Sequence, residues 1–117
     1  MITGIGTDIV EIARFVRLIE NAHFMERVFT AAEREYIQNR PNRAAGMFGA
    51  KEAFSKAVGT GLSGFSLNEV EICHDAAGKP YFVLHGRAQA RYGDTVFHLS
   101  ISHSESHAVA FAVASKE

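Results

Sequence analysis

The chain has 117 residues, 47% of them hydrophobic and 21% charged, with a net charge of −1. That length suits one domain, residues 1–117, burying about two thirds of its unfolded surface, and the charge balance excludes a whole-chain basic field for nucleic acid. Cys73 is the one cysteine, so no internal disulfide can form; with no basic leader and no apolar run near the ~18 residues of a membrane helix, a cytoplasmic protein without nucleic-acid or membrane partners is expected.

Ile2 to Val10 reads as a short apolar first strand, with Gly4, Gly6 and Asp8 on one face. Two glycines bare that face and a carboxylate ends it. This suits a strand packed tightly on a neighbour with Asp8 as a helix N-cap, or a face that presents Asp8 to a ligand. The third glycine of a dinucleotide fingerprint is missing. Glu11 to Ile19 reads as a helix with Ile12, Phe15, Val16 and Ile19 inward, and with Arg14 and Arg17 together on one side. Phe24 to Val28 is a helical turn, and Thr30 with Glu33 forms a capping box that opens a helix to about Gln38.

A long helix then runs from about Asn42, a possible cap, to Val58, where Gly59-Thr60-Gly61 ends it. Met47, Ala50, Phe54, Ala57 and Val58 form its inward stripe. Glu52 and Lys56 lie about 40° apart on the other side. Alone, such a pair is a surface ion pair worth roughly 0.3–0.5 kcal/mol. The small Ala45, Gly49 and Ala53 beside it would leave room for something to approach closely.

The second half changes period. Leu67 to Cys73 and Tyr81 to His85 are strand-like around a turn with Asp75, Gly78 and Pro80, and Gly86 to Tyr92 is a short helix. Val96 to His103 and His107 to Ser115 are two more strands. In the last, Ala108, Ala110, Ala112 and Ala114 alternate with Val109, Phe111 and Val113, a flat face that should accept the long helix. The expected class is α+β: an antiparallel-rich sheet with helices packed mainly on one side. Ser102 and His103 end a strand; His103 is in phase with Phe97, Leu99 and Ile101, and so suits the core edge.

Four segments in order resemble the small bacterial holo-[acyl carrier protein] synthases: Gly4-Ile5-Gly6-Thr7-Asp8-Ile9-Val10-Glu11; Phe48-x-Ala50-Lys51-Glu52-Ala53-Phe54-Ser55-Lys56-Ala57 with Gly59-Thr60-Gly61; Gly78-Lys79-Pro80; and Ser100-Ile101-Ser102-His103-Ser104. The resemblance implies a 4'-phosphopantetheinyl transferase fold and transfer of phosphopantetheine from coenzyme A to a serine of apo acyl carrier protein. It implies release of adenosine 3',5'-bisphosphate and a place in fatty acid biosynthesis. It further implies Mg²⁺ on Asp8 and Glu52, Lys56 at a phosphate, and Glu52 or a water at the metal as the base. Gly78, Pro80, Ser102 and His103 would meet coenzyme A, Arg14 and Arg17 the carrier protein, and the site would form between protomers of a homotrimer. The family commonly carries a basic residue for the 3'-phosphate where this chain has Met47; Arg43, one turn earlier, is the replacement considered. The same carboxylates and lysine would also suit a Mg²⁺-dependent coenzyme A diphosphate hydrolase, and a non-catalytic coenzyme A-binding trimer is a third reading.

Overall fold

The computed structural model describes residues 1–59 and 64–117. Its frame is the contact between a long helix and three strands. The strands are β1 (Ile2–Glu11), β4 (Val96–His103) and β5 (His107–Ser115), antiparallel in the order β1-β5-β4. Ala108, Ala110, Ala112 and Ala114 of β5 are all buried, as their flat face requires, beneath helix α4 (Pro41–Val58). Register places Gly4, Gly6 and Asp8 opposite Ala114, Ala112 and Ala110, on the same covered face.

A methyl group on Gly4 would overlap the carbonyl oxygen of Ala57, and one on Gly6 that of Ala53. Strand and helix therefore touch backbone to backbone. The small side of α4 is consequently filled by its own sheet: Gly49 faces Val10, Ala110 and Asp8, and Ala45 and Ala53 are fully buried. The space expected there for an outside partner does not exist.

Three shorter helices, α1 (Phe15–Leu18), α2 (Ala22–Val28) and α3 (Ala31–Ile37), lead into α4. The predicted helix from Glu11 to Ile19 is instead strand to Glu11, a 3₁₀ turn over Ile12–Arg14, and then α1. A 3₁₀ start brings every third residue to one side, so Ile12, Phe15 and Leu18 turn inward and Val16 is left 55% exposed. Asn21 caps α2 through Phe24 N–H, and the Thr30–Glu33 capping box forms as expected. Pro41 occupies the first turn of α4 after Arg40, so Asn42 lies inside the helix and is no cap. Gly59 ends α4 at φ 83°, in the left-handed region; Thr60 and Gly61 fall outside the described residues.

Beyond it, Leu67–Glu69 is a 3₁₀ turn with its own capping box from Ser66, so the strand expected from Leu67 starts only at Val70. Strands β2 (Val70–His74) and β3 (Pro80–Leu84) form a separate two-stranded hairpin. Phe82 joins it to β4 through Phe97, ring centroids 5.9 Å apart, and both rings pack on Phe54 of α4. Helix α5 (Gly86–Tyr92) closes this second core with Ala88 and Tyr92. The α+β class holds, with the strands divided between two hydrogen-bonded units. Among the described residues no helix is long and apolar enough to cross a membrane.

One interior feature is polar. Lys51 is fully buried and donates to Glu33 Oε1 (2.9 Å), Leu67 O (3.0 Å) and Val70 O (2.7 Å). Glu33, equally buried, accepts from the backbone N–H of Thr30 and Ile72 as well. Burial pulls the lysine below its ordinary pKa, against the attraction of Glu33. Helix α4 is thus enclosed on nearly every side, and the expected division into an apolar stripe and an open side holds only around Glu52 and Lys56.

Candidate active site

The glycines of β1 bring its backbone against α4, so the first full side chain on that face, Asp8, emerges beside the helix. Lys56 Nζ donates to Asp8 Oδ1 (3.2 Å) and to Thr7 O (2.9 Å), which ties the strand end to the helix. Asp8 is therefore an ion-pair partner, and the continuous strand to Glu11 rules out the helix-cap alternative. Glu52 lies one helical turn before Lys56. Its carboxyl is held above the usual range by burial and then by the charge of Asp8, which Lys56 and Arg14 offset only in part. Two carboxylates thus face one half-exposed ammonium. Such a donor set fits a hard divalent cation that takes one or two carboxylates and completes its shell with phosphate and water oxygens. Among the described residues no third His, Cys, Asp or Glu joins them, so an all-protein cage is absent. Arg14 borders the cluster, its guanidinium 6.0 Å from the centroid of Phe48; Arg17 is exposed further along α1.

Arg43, Gly78, Pro80 and His103 meet elsewhere, in a cleft of about 330 Å³. Met47 lines it while only 2% exposed, so this residue faces the core more than the opening. Arg43 Nη1 donates to Tyr36 O (2.6 Å), and its guanidinium lies 4.5 Å from the Tyr36 ring centroid. His74 stacks on the same ring at 4.4 Å. The turn at Gly78 is held by Asp75, whose Oδ1 accepts from the N–H of Ala77 and of Lys79. Gly78 sits at φ 87° with open space where a side chain would be. His103 is on the core-side face of β4, as its phase implies, yet lies exposed at the cleft.

The two groups lie on opposite flanks of α4. Residues 43 and 52 are nine apart, about 180° around a helix. Register agrees: Asp8 on β1 and Ile101 on β4 are separated by the whole width of β5. Ser102 joins neither group in one chain, because it pairs with Val109 on the outward face of the sheet. Sequence reading missed Arg40, Tyr36 and His74 of the cleft. Tyr36 and Arg43 are brought together only by the break at Pro41, which no helical period spans.

A family model described as the 4'-phosphopantetheinyl transferase superfamily matches residues 4–112. The holo-[acyl-carrier-protein] synthase of Clostridium acetobutylicum is 47% identical over 120 residues, covering 97% of this chain and 97% of that protein. That of Caldanaerobacter subterraneus subsp. tengcongensis is 44% identical over 117 residues, covering 94% and 92%. A solved holo-(acyl-carrier-protein) synthase from Bacillus anthracis, in complex with CoA (3',5'-ADP), matches at TM-score 0.84 and 39% identity, covering 100% of this chain and 99% of that one. The synthase structure from Neisseria meningitidis matches at TM-score 0.87 and 40% identity, covering 99% and 100%.

Proposed function

This chain belongs to the 4'-phosphopantetheinyl transferase superfamily, among its holo-[acyl carrier protein] synthases, and from that premise we propose how its two flanks carry out the transfer. The enzyme moves phosphopantetheine from coenzyme A to acyl carrier protein. In our reading, residues 1–117 act as one domain in the cytoplasm, in fatty acid biosynthesis. Asp8 and Glu52 hold Mg²⁺ at the coenzyme A diphosphate. Bound there, the ion supplies charge neutralisation and alignment of phosphate oxygens. Lys56, already directed at Asp8, adds a point charge for a diphosphate oxygen. As the carrier serine oxygen bonds to the phosphopantetheine phosphorus, its proton passes to Glu52. The bond from that phosphorus to the bridging oxygen breaks, and adenosine 3',5'-bisphosphate leaves. The observation that carries this reading is the Asp8–Glu52–Lys56 cluster, built by two glycines that allow a strand to touch a helix. The direct test mixes the chain with apo carrier protein, coenzyme A and Mg²⁺ and weighs the carrier. A gain of one phosphopantetheine is expected, and an unchanged mass rejects the reading.

The donor spans both flanks only if they come from different chains, so we propose a homotrimer with sites between protomers. The outward sheet face supports this: Ile5, Ile9 and Phe111 are 60%, 67% and 43% exposed, with Val109 paired directly opposite Ile9. An apolar face of this kind marks an interface. Ser102 stands on that same face, where a neighbour's ligand can reach it, and His103, Gly78 and Pro80 complete the half that receives the nucleotide.

Arg43 takes the 3'-phosphate in place of the basic residue missing at Met47. Among the described residues one of its N–H donors is used, on Tyr36 O, which leaves others for a phosphate. Arg43→Ala is expected to weaken coenzyme A binding about tenfold and dephospho-coenzyme A little, as read by binding isotherms. Equal losses for both ligands would show that Arg43 does not read that phosphate.

Arg14 and Arg17 dock the acidic carrier. Because the charge of Arg14 also reaches Glu52, the cleaner probe is Arg17→Glu. It should raise KM for carrier protein several-fold, more so at low salt, and leave KM for coenzyme A in place. Unchanged carrier kinetics would move the docking surface elsewhere.

A further inference from the structure

We infer that His74 is a second contact for the terminal phosphate monoester of the donor, and that it takes up a proton as that phosphate binds. The inference rests on the donor reading above and deepens it. The cleft carries two guanidinium groups, Arg40 and Arg43, beside the imidazoles of His74 and His103, and no carboxylate lines it among its described residues. Arg43 and His74 also both pack on the ring of Tyr36, at 4.5 and 4.4 Å from its centroid. Both residues line the same cleft, so a phosphate bound there can accept from both.

The charges around His74 set the direction of the linkage. Tyr36 of α3 stacks on it, the charges of Arg43 at the start of α4 and of Asp75 in its own turn reach it, and Arg40 before α4 and His103 at the end of β4 line the same cleft. In the free chain, burial and then the charge of Arg43 hold its pKa below the ordinary histidine range, with Asp75 opposing them. The imidazole is therefore neutral at about pH 7. A phosphate monoester with a second pKa of about 6 is mostly dianionic there. Two negative charges beside the ring favour its cationic form, so the bound state has the higher pKa. Binding then draws a proton from solvent, and affinity rises as pH falls through the bound pKa towards the free one. Dephospho-coenzyme A lacks the monoester and should show neither effect.

The test is calorimetry at about pH 7 in buffers of different ionisation enthalpy, which counts protons taken up per ligand. The wild-type chain is expected to take up a fraction of a proton with coenzyme A and none with dephospho-coenzyme A. His74→Gln keeps a neutral donor of similar size. It should abolish the uptake and reduce the preference for coenzyme A over its dephospho form about fivefold, with dephospho-coenzyme A affinity unchanged as the check on folding. Wild-type uptake persisting in His74→Gln overturns the inference, as does uptake that is lost in His103→Gln instead. If the wild-type chain transfers phosphopantetheine yet shows no uptake with coenzyme A, the inference alone fails. If it neither binds coenzyme A nor modifies the carrier, the donor reading fails and takes the inference with it.

Discussion

Asp8→Asn and Glu52→Gln are each expected to lower transfer by about three orders of magnitude while the chain keeps its melting temperature. The loss is large because, in the proposed mechanism, both side chains serve one centre. An amide of the same shape carries no charge, so a hard cation loses an anionic ligand and the diphosphate loses its neutralising partner. The fold should persist because neither carboxylate holds a core contact. Glu52 in fact sits at some cost in this environment, since burial and Asp8 both oppose its ionised form. Titrating Mg²⁺ separates the explanations: a variant defective in holding the ion regains part of its rate at high Mg²⁺. Full activity of either variant at limiting Mg²⁺ would remove the carboxylates from the metal.

The same variants test where the second half of the site comes from. Asp8→Asn leaves the cleft beyond α4 untouched, whereas Arg40→Ala, Arg43→Ala and His103→Ala together leave the carboxylate flank untouched. If sites form between chains, co-expressing the two inactive proteins should restore roughly a quarter of them. That is the chance that an intact carboxylate flank meets an intact cleft in a randomly mixed ring. If each chain completed its own site, mixing would restore nothing.

What could be read beforehand was local. Alanines at every second position of β5 and glycines at alternate positions of β1 state which faces meet, because strand geometry turns a period of two into a surface. The Thr30–Glu33 box was legible because it closes within one turn. The start of the chain's first helical stretch was misread because Val16 fits a 3.6-residue period and fails a 3.0-residue one. The Tyr36 ring between Arg43 and His74 joins three elements and leaves no mark in any one of them. Lys51 carried the opposite difficulty. The sequence assigns it no role beyond membership of a motif, and only the fold reveals three acceptors around it in the interior.

Lys51→Met is accordingly expected to cost about 3–5 kcal/mol, against a total stability of about 5–15 kcal/mol for a domain of this kind. The methionine fills the space but makes none of the three hydrogen bonds, leaving Glu33 an uncompensated charge and the carbonyls of Leu67 and Val70 without this donor. The melting temperature should fall by about 10–20 °C. Adding Glu33→Gln removes the stranded charge, while the amide oxygen can still accept from Ile72 N–H, so the double variant should recover part of the loss. This pair fixes how α4 is rotated against α3 and β2, and Glu52 is the very next residue. Residual folded Lys51→Met, assayed well below its melting point, should therefore lose transfer through a misplaced Glu52 as well as through instability. A single variant melting within about 3 °C of the wild type would show that the buried pair contributes little to stability. A double variant worse than the single would show that Glu33 is held by its backbone contacts and not by the lysine.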